Sequence, residues 1–258
     1  MIHTPSDSCF ADATADITDP HNLELAQATF NEQLLYNAIT SFARDWSERT
    51  GKPARVLDLC AATGLTAKHV SGAIPISSVT LVDTDQQALA ASEKHFVGAG
   101  FPIQRAFADA VVFDDGGRYD LILANSAYHH IEDHRKPLFM QNAARLLAPG
   151  GAFIVGDHFL PPYDDEAGHR RAVEEFYRVL VAELELRENN PAAIEVIRSA
   201  AKHGLCQDGE FKVSWQHFRD DLRMSDLDLA EVRVVWKHPA ASAETLSGSA
   251  ALHLKRLD

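Results

Sequence analysis

Residues 55–64 read RVLDLCAATG, a short apolar run followed by a turn of small residues. Such a run is typical of a strand that is buried on both faces of a sheet, and Gly64 marks the end of the turn. Residues 65–71 come next and have helical spacing. A buried strand, a tight turn and a helix in this order form half of a unit in which parallel strands alternate with helices.

Four more apolar runs follow, and helical patterns separate them. The runs cover residues 79–83, 103–109, 119–125 and 152–155, and helices are predicted at 86–97 and 136–148. Alternation of this kind predicts an α/β fold, a doubly wound parallel sheet with helices on both faces. Two late strands, predicted at residues 232–236 and 250–254, are separated by a loop and predict an antiparallel hairpin at the sheet edge. The sheet is therefore expected to be mixed and seven-stranded.

Charge limits the classes of partner. The chain has 258 residues, of which 37 are acidic and 24 are Lys or Arg, so its formal net charge is −13. A field of this sign repels phosphate backbones and anionic membrane surfaces. The sequence therefore predicts no nucleic-acid partner and no membrane partner, and it favours a small-molecule substrate. It leaves open whether the chain forms a homodimer.

Cysteine and histidine usage bears on the compartment and on metals. The three cysteines are Cys9, Cys60 and Cys206, widely spaced and odd in number, which predicts a reducing compartment. The first 20 residues lack the regions of a signal peptide, so the cytoplasm is expected. The 13 histidines show no pair on one helical face with an acid at ligand spacing, and no metal is predicted.

Polar residues end the five predicted parallel strands, where an open sheet of this class binds its ligands. They are Asp58, Asp83, Asp109, Asn125 and Asp157. The first turn contains only one glycine, Gly64, whereas a dinucleotide site needs three, so binding of a pyrophosphate is poorly supported. The Asp58 carboxylate suits a cation, Asp83 can accept hydrogen bonds from ribose hydroxyls, and Asp109 can accept one from an adenine amino group.

S-adenosylmethionine has these three parts, a positive head, a ribose and an adenine. The segment VLDLCAATG resembles the first motif of the class I S-adenosylmethionine-dependent methyltransferases. The segments LVDTD, AFADA, YDLILANSAYHHIED and RLLAPGGAFIV resemble the second to fifth motifs in order, over about residues 54–158. The paired histidines resemble those of the small-molecule type. The resemblance implies a Rossmann-like methyltransferase fold, S-adenosylmethionine as cofactor and S-adenosylhomocysteine as product.

The resemblance also implies which residues contact the cofactor. Asp58, Ala61, Thr63 and Gly64 are expected along the methionine end, Asp83 and Thr84 by the ribose, Asp109 and Ala110 by the adenine, and Asn125, Ser126 and His130 near the sulfonium. The sequence departs from the family at Ala62, and also at Cys60, where glycine is usual or frequent. The added methyl of Ala62 is expected to shift the methionine end or to weaken its binding.

Residues after the fourth and fifth strands are candidates for catalysis. His129 and His158 are predicted as a general base, because an imidazole is half-ionised near neutrality. If either is the base, the rate should fall below a pKa of about 6–7. Tyr36, Tyr128, Asp157 and Tyr163 are predicted to contact the substrate. The alternatives are that the histidines pack at a helix start and that Asp157 caps a helix.

The predicted chain thus consists of a loose tail, residues 1–20, and one methyltransferase domain, residues 21–258. The domain divides into a helical cap at 21–50, a cofactor-binding core at 51–160, a helical insertion at 161–212 and a C-terminal hairpin region at 213–258. The cap and the insertion are expected to cover the carboxyl edge of the sheet and to set substrate specificity.

The predicted function is transfer of a methyl group to oxygen or nitrogen of a small metabolite. Two alternatives stay open at this point. One is transfer of a different group from a sulfonium cofactor, and the other is a non-catalytic module that uses the fold for binding or association.

Overall fold

The structure, a computed structural model, describes residues 10–188, 190–242 and 244–257. A seven-stranded sheet with the strand order β3-β2-β1-β4-β5-β7-β6 forms its centre. The strands are β1 Ala54–Leu59, β2 Ile76–Asp83, β3 Ile103–Phe107, β4 Tyr119–Asn125, β5 Leu147–Phe159, β6 Leu227–Lys237 and β7 Gly248–Arg256. The first five strands are parallel, and β7 pairs antiparallel with both β5 and β6. The predicted mixed, doubly wound sheet is confirmed.

Eight α-helices are described around the sheet. They are α1 Pro20–Gln27, α2 Phe30–Thr50, α3 Leu65–Ser71, α4 Gln86–Ala91, α5 Lys136–Leu146, α6 Glu166–Arg187, α7 Pro191–Cys206 and α8 Trp215–Arg223. The predicted single helix of the cap is two helices, because Thr29 is extended, with ψ of 155°, between α1 and α2. The helix predicted at residues 86–97 is shorter, and a 3-10 turn at Ser92–Phe96 completes it.

Both faces of the sheet are buried, which explains why its strands read as continuous apolar runs. Leu57 and Ile122 face the core layer of α5, whereas their neighbours Val56 and Leu121 face the layer of α2. Side chains of successive strand residues point to opposite faces, so each run supplies both layers. Every residue of β4, the strand at the middle of the sheet, is buried.

Helices α6 and α7 belong to a third core layer, which also receives the end of the predicted tail. Phe10 is 2% exposed and packs edge-on against Tyr177, with ring centroids 6.4 Å apart. The Lys202 Nζ donates to the Ala13 carbonyl at 3.0 Å. Phe10 and Ala13 thus anchor this segment to the helical layer, whereas Asp12, Thr14, Asp16, Thr18 and Asp19 are exposed. Residues 1–9 lie outside the described part of the chain.

The helical insertion leaves and rejoins the domain at one place. The backbone N–H of Leu160 donates to the Val213 carbonyl at 3.0 Å, and Leu160 forms a parallel bridge with Ser214. Between these points α6 and α7 pack against each other, and α7 also contacts α1. The helical layer thus lies above the carboxyl ends of the strands. None of the helices in the described residues combines the length and the apolar character needed to cross a membrane.

Candidate active site

A cavity of about 810 Å³ opens between the carboxyl ends of the parallel strands and the helices α1, α6 and α7. Its volume is in the range of small-molecule sites. Ten residues predicted for the site line this cavity. They are Ala61, Asp83, Thr84, Asp109, Ala110, Asn125, Ser126, His129, His130 and His158.

Three tyrosines predicted to contact the substrate lie elsewhere. Tyr36 is buried between helices and stacks on His69 with ring centroids 4.5 Å apart. Tyr128 packs on Phe218, and its hydroxyl donates to Asp221. Tyr163 stacks on His217 at 4.6 Å. None of the three lines the cavity in this structure, because aromatic neighbours hold each ring, and their contact with the substrate stays a prediction.

The predicted contacts at the start of the first turn lie behind the cavity wall. Asp58 is 1% exposed and accepts from the Ala67 N–H at 3.1 Å. Burial, with a smaller effect of the Asp83 charge, raises the pKa of Asp58 to about 7. Thr63 is buried, and Gly64 has φ of 76°. These residues build the turn and do not line the cavity.

Gly64 is fixed by space as well as by its backbone angle. A Cβ at this position would lie 3.0 Å from Leu81 Cδ1 and 3.1 Å from a ring carbon of Phe96. The left-handed backbone and these contacts together exclude a larger residue without rearrangement. The turn can therefore pass close to the neighbouring strand only because position 64 is glycine.

Cys60 and Ala62, where the sequence departs from glycine, both adopt the left-handed backbone, with φ of 54° and 44°. Both line the cavity. The Ala62 N–H donates to Asp83 Oδ2 at 2.7 Å, and the Asp85 N–H donates to Asp83 Oδ1 at 2.8 Å. Burial raises the pKa of Asp83, while these two hydrogen bonds oppose the shift. The Asp83 carboxylate is thereby fixed at the cavity wall.

Asp109, predicted to lie by the adenine, has a partner that the sequence did not suggest. Arg135 forms an ion pair with its carboxylate, and the Val111 N–H donates to Asp109 Oδ1 at 2.9 Å. Arg135 follows the paired histidines in a 3-10 turn at Asp133–Arg135. The pair places a planar guanidinium beside the acid at one end of the cavity.

A buried carboxylate from α2, Glu32, connects the ends of β4 and β5. Its Oε1 accepts from Ser126 Oγ and from His158 Nε2, each at 2.7 Å. Its Oε2 accepts from Asn125 Nδ2 at 3.1 Å. Burial raises the pKa of Glu32, but these hydrogen bonds and the nearby His158 outweigh burial and lower it below its ordinary value. Glu32 is thus an ionised acceptor in the cavity wall.

The two histidines predicted as bases differ in what their nitrogens do. His158 uses Nε2 toward Glu32 and Nδ1 toward Ser249 Oγ, which lies 2.7 Å away. Both nitrogens are engaged, so His158 holds Glu32 in place and has no lone pair for a substrate proton. These contacts favour a positioning role for His158 over the predicted role as a base.

His129 has a free nitrogen toward the cavity. Its Nδ1 lies 2.6 Å from Asp157 Oδ1, and the ionised carboxylate can only accept, so Nδ1 carries the hydrogen. The pKa of Asp157 is lowered, since the nearby His129 outweighs burial. Burial lowers the pKa of His129 to about 4, although Asp157 opposes this. The imidazole is neutral near pH 7, and its Nε2 is an acceptor oriented from behind by Asp157.

The segment after α7 supplies a buried ion pair to the same wall. Lys212 Nζ lies 2.5 Å from Glu210 Oε2, which also accepts from the Tyr177 hydroxyl at 3.2 Å. Burial raises the pKa of Glu210, but Lys212, His129 and His130 lower it to about 2. His130 itself is held by the Gly209 carbonyl, 2.7 Å from its Nδ1.

His129, His130 and Glu210 form a group of possible metal ligands. Each offers one ligand atom, and the three atoms lie within 4.8 Å of one another. The sequence predicted no metal site. The cation nearest to Glu210 is supplied by the chain itself, in the ammonium of Lys212.

Several of these residues were missed by sequence reasoning. Glu32 lies within a helix and Glu210 and Lys212 lie in a polar segment, positions where charged residues are normally solvated. The apolar stripe of α6 was interpreted as core. Phe176, Tyr177 and Leu180 do belong to the third core layer, but they also line the cavity.

Known proteins resemble the central part of the chain most clearly. Residues 56–151 match the family described as a methyltransferase domain. An uncharacterized methyltransferase of Mycobacterium tuberculosis is 35% identical over 101 residues, which cover 39% of this chain and 48% of that protein. The ubiquinone biosynthesis O-methyltransferase of a Caulobacter species is 29% identical over 121 residues, 46% of each chain. The chain spans about half the length of these curated relatives.

Solved structures share the whole fold at low sequence identity. The N-methyltransferase NodS from Bradyrhizobium japonicum, in complex with S-adenosylhomocysteine, has a TM-score of 0.58 and 13% identity. The match covers 94% of this chain and 100% of that one. At this identity the likeness establishes the fold alone.

Proposed function

We propose that this chain, whose residues 56–151 match the methyltransferase domain family, is a class I S-adenosylmethionine-dependent methyltransferase that transfers a methyl group to oxygen or nitrogen of a small metabolite. One observation supports this most directly. A single cavity is lined by the turns that the family motifs form and by an oriented imidazole, His129. The O-methyltransferase and the N-methyltransferase among the similar proteins are consistent with either acceptor atom.

The cavity residues fit the cofactor. Asn31 Oδ1 and Asn125 Oδ1 are buried acceptors with no donor among the described residues, and both side chains line the cavity. An ammonium group, as at the methionine end of the cofactor, would be a donor for these oxygens once the amides turn them toward the cavity. Asp83 keeps lone pairs beyond its two backbone hydrogen bonds, and ribose hydroxyls would donate to them.

Other residues at the carboxyl ends of the strands are assigned to the remaining parts of the cofactor. Thr84 would lie by the ribose with Asp83, and Ala110 would lie by the adenine with Asp109 and its partner Arg135. Ser126 would lie near the sulfonium, where the Glu32 carboxylate supplies a negative charge through the shared hydrogen bond. S-adenosylmethionine, when bound, supplies a methyl group that is already activated by its sulfonium.

The chain has three tasks in this reaction. The helical layer above the strands excludes water, and the wall residues hold the acceptor in line with the methyl group. His129 Nε2 takes the proton that an oxygen or nitrogen acceptor must lose, and Asp157 holds the imidazole in the tautomer that leaves Nε2 free. Asp157, predicted to contact the substrate, acts through His129 and is a positioning residue.

Methyl transfer can be tested with a cofactor that carries an isotopic label in its methyl group. The purified chain is incubated with a panel of small amines, phenols, alcohols and acids, and labelled products are identified by mass. We expect one class to be labelled, and His129→Ala to lower turnover at least tenfold, because general-base assistance typically contributes ~10²–10⁴-fold.

The matched control is His134→Ala, since His134 has a side chain 77% exposed and does not line the cavity. Its turnover should equal that of the parent. A parent chain that fails to bind S-adenosylhomocysteine in a calorimeter would refute the proposal and favour a non-catalytic module. A labelled group other than methyl would favour the alternative sulfonium chemistry.

A further inference from the structure

The part of the cavity wall around His129 presents hydrogen-bond acceptors. From this wall we infer that the methyl acceptor is the nitrogen of an amine joined to an apolar body, an inference that rests on the proposed methyltransferase function. Hydroxyl and carboxylate acceptors suit this wall less well, for reasons of hydrogen-bond number, charge and shape.

The number of hydrogens is the first reason. His129 Nε2 lies 3.9 Å from the Glu210 carboxylate, measured to Oε2, and both groups can only accept hydrogen bonds when the imidazole is neutral. A nitrogen at about 2.9 Å from an acceptor makes a good hydrogen bond, and one nitrogen can lie at that distance from His129 and from the Glu210 carboxylate together. An amine has two or more hydrogens to donate, whereas a hydroxyl has one and would turn a lone pair toward the second acceptor.

One oxygen of Glu210 is available for this bond. Lys212 and Tyr177 both bond to Oε2. No described residue donates a hydrogen bond to Oε1, and the nearest ring nitrogen, His130 Nδ1, is 4.0 Å away and bonds to Gly209 instead. Oε1 is therefore the oxygen of this carboxylate to which a ligand N–H can donate.

Charge is the second reason. Seven acidic side chains line the cavity, Glu32, Asp83, Asp85, Asp109, Glu132, Asp208 and Glu210, against two basic ones, Arg135 and Lys212. Both cations are already paired, Arg135 with Asp109 and Lys212 with Glu210. An anionic acceptor would therefore find no unpaired cation among the described lining residues, while a cationic amine lowers the excess of negative charge.

The apolar side chains of α6 and α7, which form the roof of the cavity, indicate what kind of body the acceptor carries. Phe176 and Leu180 on α6 and Val196, Ile197 and Ala200 on α7 line the cavity with apolar side chains. Contact with these side chains removes apolar surface of a ligand from water, which favours binding. An aromatic or aliphatic body is the part of a ligand that this roof binds.

These residues and the bound methyl donor account for each bond and proton in the methyl transfer. His129 Nε2 takes a proton from the ammonium form of the acceptor, which frees the nitrogen lone pair. That lone pair forms the new N–C bond while the S–C bond of the bound methyl donor breaks, the electron pair of the S–C bond stays on sulfur, and the positive charge passes from sulfur to the methylated nitrogen. Glu210 stays ionised and binds the remaining N–H, so its part is recognition of the acceptor.

A divalent metal ion bound by His129, His130 and Glu210 is the competing occupant of this wall. The Lys212 ammonium already bonds to the Glu210 carboxylate, and its positive charge would repel a divalent ion bound to the same group. The ion pair therefore favours the amine over the metal.

Binding to the product-loaded protein tests the inference without turnover. The chain is saturated with S-adenosylhomocysteine and titrated at pH 8 with matched amines, alcohols and carboxylates that share a phenyl, an indolyl or a hexyl body. We expect the amine to bind at least tenfold tighter than the matched alcohol for at least one body, with the carboxylate weakest. The absence of an amine preference for all three bodies overturns the inference, as does a preference that requires added Ni²⁺.

Variants of Glu210 test whether the amine preference depends on this part of the cavity wall. Glu210→Gln should lower the amine preference at least tenfold, and the double variant Glu210→Gln with Lys212→Met should do the same without leaving an unpaired buried cation. Glu185→Gln, on the solvent-exposed side of α6, removes an equal charge and should change nothing.

The two proposals fail in different ways. Affinity for S-adenosylhomocysteine should stay within twofold in all three variants, because none of the changed residues is assigned to the cofactor. An undiminished amine preference in the Glu210 variants overturns the inference about the acceptor. A parent chain without affinity for S-adenosylhomocysteine would instead overturn the proposed function.

Discussion

At the scale of single residues, backbone strain is concentrated at the candidate site. Four non-glycine residues among those described have a left-handed backbone, Cys60, Ala62, Ser126 and Gln207, and all four line the cavity. Such a conformation costs an L-residue about 1–2 kcal/mol and persists only where surrounding contacts hold it. The sequence showed the missing glycines at positions 60 and 62, and the structure shows that the turn keeps its left-handed shape without them.

The first prediction is that Ala62→Gly stabilises the chain. Glycine adopts φ of 44° without strain, and after its greater unfolded-state entropy is subtracted the gain should be about 0.5–1 kcal/mol. The hydrogen bond from position 62 to Asp83 is a backbone bond and is retained. Thermal unfolding and calorimetric titration with S-adenosylhomocysteine should show a higher melting temperature and equal or tighter binding.

The opposite result at position 62 would be informative. Should Ala62→Gly keep its stability and lose cofactor affinity tenfold or more, the methyl of Ala62 contacts the ligand and the turn is adapted to it. Gly98→Ala is a suitable comparison. Gly98 also has positive φ, with no atom near its hypothetical Cβ, but it does not line the cavity, so its substitution should lower stability and leave binding unchanged.

A second prediction concerns the pH dependence of turnover. An unperturbed histidine base would lose activity as the pH falls through 6–7, the expectation from sequence. Burial lowers the pKa of His129 to about 4, so His129 stays neutral well below that range. Turnover on a substrate with no titration of its own should therefore be level from pH 8 to about pH 5.5, and a half-maximal rate near pH 6.5 would contradict the assignment.

Loss of folding stability at acidic pH limits the pH range over which turnover can be measured. Between pH 6.5 and 4 the unfolded chain protonates at His129 and the folded chain does not. The contribution of His129 to the free energy of unfolding therefore falls as the pH is lowered through this window. Each assay should be accompanied by a circular dichroism spectrum, so that loss of the fold is not mistaken for protonation of the base.

At the scale of elements, the packing of the N-terminal segment gives a third prediction. Phe10→Ala removes a buried ring from the layer that α6 and α7 form, and substitutions of this kind typically cost about 3–5 kcal/mol. Chemical denaturation should show the loss. Phe107→Ala is the control, since its side chain is among the large apolar ones that are exposed, and little change is expected there. Equal stability of Phe10→Ala and the parent would support a loose tail.

The elements themselves were largely predictable from sequence. A strand buried on both faces is a local run of apolar residues, so β1, β2 and β4 could be located by pattern, and so could the residues that end them. Glu32 and Glu210 could not, because a carboxylate on a helix or in a loop carries no local sign of burial. Their partners come from distant parts of the chain, His158 for Glu32 and Tyr177 for Glu210, and only the tertiary fold joins them.

The same reasoning explains the tyrosines. Their positions in the sequence, one on the cap helix and two after strands, placed them near the site by topology alone. Which way a side chain points depends on its rotamer and on its packing partners, and here those partners are His69, Phe218 and His217.

At the scale of the whole molecule, the net charge of −13 gives a fourth prediction. S-adenosylmethionine carries a sulfonium charge that S-adenosylhomocysteine lacks, and the cavity wall is mainly acidic. Salt screens the attraction between exposed charges, with a Debye length of about 10 Å at 0.1 M. Raising NaCl from about 20 to 500 mM should therefore weaken binding of the cationic form more than that of the neutral form. Identical salt dependence of the two dissociation constants would show that the field does not assist binding.

The point where the helical insertion begins and ends has a consequence for how this protein can diverge. Leu160 bonds to Val213 and pairs with Ser214, so the two ends of residues 161–212 are held side by side. A segment with adjacent anchored ends can be lengthened, shortened or exchanged while the strands beneath keep their register, since the closure penalty changes only slowly with loop length. We therefore expect residues 161–212 to tolerate exchange as a unit while the parallel strands beneath them keep their pairing.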